Sequence, residues 1–393
     1  MNLKVLMLGW ELPPFNSGGL GVACLGLAKA LAQKGVHITF VLPKKLDINY
    51  NFMDLVFANV LDASELANSY NSSWNRYFGV EYIENGDLDY VKGALKFGEA
   101  VKNIVKKYNV DLIHAHDWLT YPAGVAAKEA VGKPLIAHIH STEFDRTGGN
   151  NPNPLVYDIE KRGLLAADCV MPVAGFVRET LINKYGISPH KIRVIYNGLT
   201  DEFKPDLPTT FSLYKKLGYK IVLFLGRITL QKGPEYFVWA AKRVLEYIPK
   251  VLFVVVGSGD MQDFMVSETL RLGINDKFLF TGFLRGDEKH SVYKSADCYV
   301  MPSVSEPFGI TALESVANGT PTIISKQSGV SEILKNTLKV DFWDVDEMSN
   351  KIISCLKYEP LLTDLRNEST KEIPNFTWSK SADEVIRVYR QLV

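Results

Sequence analysis

Met301-Pro302-Ser303-Val304-Ser305-Glu306-Pro307-Phe308-Gly309-Ile310-Thr311-Ala312-Leu313-Glu314 is the stretch around which this sequence can be read. An apolar strand over Cys298 to Met301 stops at Pro302, a short polar loop carries Glu306, and Ile310 to Ala317 reads as a helix closed by Asn318-Gly319 ahead of Pro321. The helix N-terminus therefore falls near Phe308 to Ile310, where backbone N–H groups have no partner within the helix and the dipole end is positive. Glu306 stands just outside that end and Glu314 about one turn inside it. Sugar hydroxyls, which both donate and accept, suit such a mixture of carboxylates and amides. The plain alternative makes Glu306 a helix cap and Glu314 part of a solvated face.

Working outward, the chain repeats one pattern of strand, glycine-containing loop and helix. Lys4 to Gly9 reads as a buried strand, followed by a loop with Gly18, Gly19 and Gly21 and a helix over Val22 to Lys34. The dinucleotide fingerprint fails, because Cys24 stands where a third glycine belongs. Val36 to Leu42 is a second strand. The segment from Lys44 to Asn85 reads as an irregular insertion holding Tyr50, Phe52, Tyr70, Trp74, Tyr77 and Phe78, a small satellite core before it is a sugar platform.

Tyr90 to Tyr108 is an amphipathic helix, with Val91, Leu95, Val101, Ile104 and Val105 on one side and five lysines largely on the other. A solvated face is the first reading of those lysines, and weak contact with a membrane surface the second. Strands over Asp111 to His116 and Leu135 to His140 each end in an H-x-H pair, so a metal cluster is weighed. No carboxylate or cysteine at recognisable spacing completes a ligand set. A core role is preferred for His114 and His138. Glu143 to Pro154, rich in Asn, Gly and Pro, reads as a lid loop. A helix over Leu155 to Ala166, strands at Cys169 to Val173 and Ile192 to Ile195, and a helix from Gly175 to Tyr185 complete a first domain, with a linker at Phe203 to Pro208.

The second half restarts at a strand, Lys220 to Leu225, whose loop holds Arg227 and Lys232 before a helix from Glu235. Two cations at a strand's carboxyl end are placed to neutralise a diphosphate. Strand Val251 to Val256 runs into Gly257-Ser258-Gly259-Asp260, a further glycine turn able to approach a nucleotide. Two D-x-D triplets, Asp87 to Asp89 and Asp344 to Asp346, sit just before predicted helices at Tyr90 and near Met348, where aspartates commonly cap.

With 393 residues, the chain is long enough for two domains. Lys and Arg number 44 and so do Asp and Glu, so no global charge recommends nucleic acid as a partner. The four cysteines are far apart in sequence and suggest neither a zinc ribbon nor a disulfide framework, and no run approaches a membrane span. A reducing cytoplasm is the expected location.

Glu306-Pro307-Phe308-Gly309 with Glu314, together with Gly226-Arg227 to Lys232-Gly233, resembles the signature of retaining GT-B glycosyltransferases, notably glycosyltransferase family 4 and the glycogen and starch synthases. The resemblance implies an α/β protein of GT-B type: two Rossmann-like doubly wound domains facing across a cleft, over 1–203 and 204–375, with a C-terminal helix at 376–393 crossing back to the first. It implies hexosyl transfer with retention, glucose first, from a nucleotide sugar of the UDP- or ADP-glucose type to an α-glucan or, second, a lipid-linked or glycoconjugate acceptor. A non-catalytic sugar-nucleotide sensor is the alternative. By the same resemblance His140, Arg227, Lys232 and Glu306 carry catalysis; Gly18, Gly19, Gly21, Gly257, Phe308, Gly309, Ile310 and Glu314 bind the donor; and Asp117 and Glu143 lie on the acceptor side. No cofactor and no metal are expected. Where bacterial glycogen synthases carry a lysine shortly before the double glycine, this chain has Asn16 and Ser17.

Overall fold

The structure, a computed structural model, describes residues 3–16, 18–60, 85–199 and 211–393. These form two compact units, one of the residues up to 199 together with 376–393, the other of 211–375. The expected linker and the insertion over 61–84 lie outside the described residues.

The first unit runs β1 (Lys4–Leu8), α1 (Gly19–Gln33), β2 (His37–Leu42), β3 (Asp54–Phe57), α2 (Asn85–Ile104), β4 (Leu112–His116), α3 (Tyr121–Val131), β5 (Leu135–Ile139), α4 (Glu143–Arg146), α5 (Pro154–Ala166), β6 (Cys169–Pro172) and α6 (Gly175–Tyr185). Its strands form a parallel sheet in the order β3-β2-β1-β4-β5-β6. In the second unit α7 (Ser212–Lys216), β7 (Lys220–Leu225), α8 (Pro234–Tyr247), β8 (Val251–Val256), α9 (Gln262–Arg271), β9 (Phe278–Gly282), α10 (Gly286–Ser295), β10 (Cys298–Met301), α11 (Ile310–Ala317), β11 (Thr322–Ser325), α12 (Val330–Ile333), β12 (Leu338–Val340), α13 (Val345–Lys357) and α14 (Glu359–Thr370) follow. Their sheet is ordered β12-β11-β10-β7-β8-β9 and is also parallel.

Both sheets are doubly wound, and the order reverses between β1 and β4 in one and between β7 and β10 in the other. Central strands β4 and β8 are buried along their whole length; β8 accordingly reads as an unbroken apolar run, whereas β4 carries His114 and His116 into the interior.

Four expectations change. The irregular insertion begins with a strand, β3, paired to β2 through Thr39–Asp54 to Leu42–Phe57. Tyr50 nearby donates to the Pro13 carbonyl at 2.6 Å and packs on Phe52. Helix α2 starts at Asn85, so Asp87 to Asp89 fall within it rather than before it. Its buried stripe is Ala94, Phe97 and Val101, continued by Val105 in the 3-10 turn that follows, and this rotates Leu95 out to 54% exposure. Ile192 to Ile195 makes only a bridge to Val170 and hydrogen bonds to β6, no full strand.

The terminal helix α15 (Trp378–Leu392) belongs to the first unit. Thr377 caps it, and the Leu199 and Trp378 amides are tied to the Phe376 and Leu199 carbonyls. Trp378 lies on two glycines that leave room for it: a Cβ on Gly26 of α1 would come within 2.3 Å of the indole nitrogen, and one on Gly198 within 2.2 Å of the Trp378 amide. Gly26→Ala should therefore cost roughly 1–3 kcal/mol through overpacking. Urea denaturation checks it: the midpoint should drop at unchanged m, and an unchanged midpoint would show that α15 yields at no cost.

Candidate active site

In the second unit the loops after β7 and β10 are joined backbone to backbone. The Val304 amide donates to the Gln231 carbonyl at 3.0 Å, and Gly233, at φ +61°, lies so close to Pro302 that a Cβ would stand 2.2 Å from its carbonyl oxygen. A side chain there would force the loops apart. The result places Lys232 against Glu306, Nζ to Oε2 at 2.5 Å, with both side chains largely buried. Glu306 is held by its own backbone as well, donating to the Gln327 carbonyl at 2.9 Å and accepting from the Gly329 amide at 2.9 Å.

Immediately beyond, Gly309 sits in the left-handed region at φ +109° as the N-cap of α11, and no side chain caps the helix. A Cβ there would meet Val330 at 2.9 Å and Met301 at 3.2 Å. Phe308 is buried, and its carbonyl accepts from the Val330 amide at 2.6 Å. The N-terminus of α11, led by Ile310, thus opens beside an ion pair on a backbone that only glycine permits.

Glu314, one turn into α11, is paired with Lys289 of α10 at 2.6 Å and accepts from the Tyr293 hydroxyl at 3.2 Å. Neither partner stood out in the sequence, because both lie on a helix whose approach to α11 is a matter of packing. Gly257, at φ +134°, brings its turn against the β7 loop so closely that a Cβ would lie 1.9 Å from the Gly226 carbonyl oxygen. The Ile228 amide donates to the Ser258 carbonyl at 2.9 Å, so the two glycine loops form one platform that also carries the half-buried Arg227. Glu235, in the first turn of α8, is buried with Oε2 lacking a hydrogen-bond partner, and burial pushes its carboxyl up to about 7. The second D-x-D is spent on structure: Asp344 caps α13 through the Glu347 amide and Asp346 pairs with Arg243.

In the first unit Gly18 is the N-cap of α1 in extended backbone, Gly19 has open space where a Cβ would be, and the Gly21 amide donates to Glu11 Oε1 at 3.2 Å. Glu11 thus supplies an anion to the start of α1, a role the sequence did not advertise.

Asp117 follows β4 at φ +61°, an uncommon conformation for a residue other than glycine. Its carboxylate accepts from the His140 amide at 2.6 Å and the Ser141 amide at 3.4 Å. Burial raises its pKa to about 7 against the lowering effect of those amides. Asp117 is thereby turned inward, where it fixes the backbone of His140. Glu143, expected in an acceptor-facing loop, is buried in α4 instead. It pairs with Arg146 at 3.0 Å and accepts from the Asn153 amide at 3.0 Å, in a network that includes Glu160 and Tyr185.

The two H-x-H pairs form a ladder of stacked rings, His114 on His116 and His138 on His140. His114 is satisfied on both sides, by the Tyr389 hydroxyl at 2.6 Å and by His138 at 3.1 Å. His116 Nδ1 and His140 Nε2 face each other at 3.1 Å. Desolvation drives all four toward the neutral form, His140 down to about 3. Cys24 of α1 also lies beside His116 and His140, a proximity the sequence spacing concealed.

The sequence model of glycosyltransferase family 4 matches residues 17–203, and that of glycosyl transferases group 1 matches 209–372. An uncharacterised glycosyltransferase of Methanocaldococcus jannaschii is 31% identical over 413 aligned positions, covering 99% of this chain and 98% of that one. The chain belongs to glycosyltransferase family 4. Within that family it is also 26% identical to a glycogen synthase of Mycobacterium tuberculosis, over 85% of this chain and 80% of that one. Its fold is that of GT-B glycosyltransferases: sucrose-phosphate synthase from Thermosynechococcus elongatus superposes with a TM-score of 0.79 at 23% identity, over 99% of each chain. Among the described residues of this family 4 glycosyltransferase no helix is long and apolar enough to cross a membrane.

Glu235 offers a test of buried electrostatics in the first turn of α8. Its folded pKa stands above the ordinary 4.5, so between 4.5 and about 7 the native state keeps a proton that the unfolded chain has lost. Stability should fall as pH rises through that window and level off above it, by on the order of 1–3 kcal/mol for this group. Glu235→Gln should remove that part of the slope in chemical denaturation between pH 4 and 8. Parallel curves for variant and wild type would show that folding does not raise the pKa of this carboxyl.

Proposed function

We propose that this glycosyltransferase moves a hexosyl group, glucose first, from a nucleotide sugar of the UDP- or ADP-glucose type to the end of an α-glucan, with retention at the anomeric carbon and without a metal ion in the reaction. The observation that carries the reading is the buried Lys232–Glu306 pair at the uncapped N-terminus of α11. A lysine held at a helix N-terminus is suited to a leaving diphosphate, and a carboxylate beside it to sugar hydroxyls. Paired with each other, the two groups keep a net neutral pocket. An arriving diphosphate then competes for Lys232 and frees Glu306 to accept from the sugar.

In this reading Arg227 and Lys232 stabilise the diphosphate, while Glu306 and the amides of Phe308, Gly309 and Ile310 hold the sugar. Glu314 accepts from the ribose hydroxyls, its position fixed by Lys289 and Tyr293. Gly257 lets its turn approach the nucleotide. On the first unit His140, neutral and oriented by Asp117, is suited to a sugar hydroxyl, and Gly18, Gly19 and Gly21 to close approach of a donor. The leaving phosphate takes the acceptor proton, so no side chain is assigned as general base. Positioning and electrostatics supply the acceleration. Asp117 and Glu143 act on the acceptor side through the backbone they hold rather than by direct contact. The glucan acceptor is favoured by the glycogen synthase likeness; a lipid-linked or glycoconjugate acceptor is the second reading, favoured by the exposed lysines and Leu95 of α2.

A donor screen that detects released nucleoside diphosphate, with and without glycogen, tests the whole reading. Turnover dependent on glycogen with a glucose nucleotide is expected; release with no donor at any acceptor would leave a sensor. Glu306→Gln should depress turnover more than donor affinity, while Glu314→Gln should chiefly weaken nucleotide binding, by roughly 1–3 kcal/mol. Equal effects of both on binding and turnover would sink that division. Lys232→Ala should cost about a hundredfold or more in turnover at saturating donor. Because it also strands the Glu306 charge, its thermal stability must be read alongside. Rates unchanged by chelator are expected, and a rate abolished by chelator and restored by manganese would withdraw the charge-neutralising role of Arg227 and Lys232.

A further inference from the structure

The histidine ladder of the first unit holds a ligand set of which the transfer reaction uses only His140. Cys24, His116 and His140 each present a ligand atom within 4.8 Å of the other two. Cys24 is fully buried on α1, and His116 is buried on β4. We propose that this set is a binding site for a soft divalent metal ion, zinc before others.

The spacing of the two imidazoles is the first ground. Two nitrogens on a tetrahedral zinc, each about 2.0–2.1 Å from the ion, stand roughly 3.3 Å apart. His116 Nδ1 and His140 Nε2 stand 3.1 Å apart, held there by one shared proton. A metal ion can replace that proton with little movement. The rings' far nitrogens, His116 Nε2 and His140 Nδ1, are buried without hydrogen-bond partners. The tautomer shift that bares both facing nitrogens therefore breaks no other bond.

Charge is the second ground. The thiol proton of Cys24 leaves to solvent, and the thiolate with two neutral imidazoles takes a dication to a net charge of +1. Three protein ligands leave a fourth position for water or another ligand.

The neighbouring trio His114, His116 and His138 is the weaker set. It offers no anionic ligand, and His114 already spends both nitrogens on Tyr389 and His138.

Occupation has a consequence that rests on the donor role given to His140: a metal holding that ring removes it from the sugar. Zinc should then inhibit transfer, reversibly with chelator, and the metal-free protein is the active form.

The test is a titration of the full chain with cobalt(II), read by its thiolate-to-metal charge-transfer absorption, with zinc K-edge spectroscopy of the zinc form. One equivalent, a charge-transfer band displaced by zinc, and a shell of one sulfur and two nitrogens are expected. Cys24→Ala should lose the band, and His116→Gln should weaken binding by about tenfold or more. Absence of a sulfur–metal signal in the wild type would overturn the site whatever the variants do. Cys24→Ala should also keep the metal-free rate while escaping inhibition by zinc. Inhibition that persists in that variant would overturn the site as its cause. Binding with the expected shell but without inhibition would uphold the site and remove His140 from the donor.

Discussion

Parallel pairing of strands on either side of a reversal in sheet order is the constraint from which the rest of this molecule follows. When β7 and β10 are neighbours, the loops that leave their carboxyl ends must lie side by side, and the same holds for β1 and β4. Residues far apart in sequence are thereby delivered to one place. Lys232 meets Glu306 across 74 positions for this reason. Cys24, carried on the helix after β1, meets His116 at the end of β4 by the same rule.

Glycines then set how closely the loops approach. Gly233, Gly257 and Gly309 all have positive φ, and in each case a Cβ would strike a neighbouring loop or side chain within 3 Å. Such contacts hold the backbone of the second unit's loops in one arrangement before any ligand arrives. Preorganised amides and a preformed ion pair cost little reorganisation when a charged ligand binds. Two devices of the first unit do comparable work without glycine: Asp117 accepts a positive φ in order to hold His140, and Glu11 supplies the charge that α1 lacks at its start.

The neutral histidine ladder shows how one environment can serve two ends. Desolvation, with mutual repulsion among the rings, drives the four toward the neutral form, which suits a hydrogen-bonding role toward a sugar. Neutral imidazole is also the form that binds metal. Cys24 adds the anionic ligand that the histidines by themselves lack.

The sequence by itself determined the alternation of strands and helices, the doubly wound class, and the loops that carry most of the residues proposed for the donor. Each of those is written in local signals: apolar runs of strand length, glycines at turns, and Glu306 and Glu314 at fixed distances from a helix start. The strand Asp54–Phe57 stayed hidden because it is short and only partly buried, so its pattern does not stand out from loop. Leu95 was misplaced because the face of a helix is settled by its neighbour rather than by its own composition. Tertiary structure alone decided the partners of the charged residues: Lys289 and Tyr293 for Glu314, Glu11 for Gly21, Arg146 for Glu143, and Cys24 for the histidines. Such contacts depend on how helices pack on a sheet, a property of three-dimensional distance that spacing along a chain does not record.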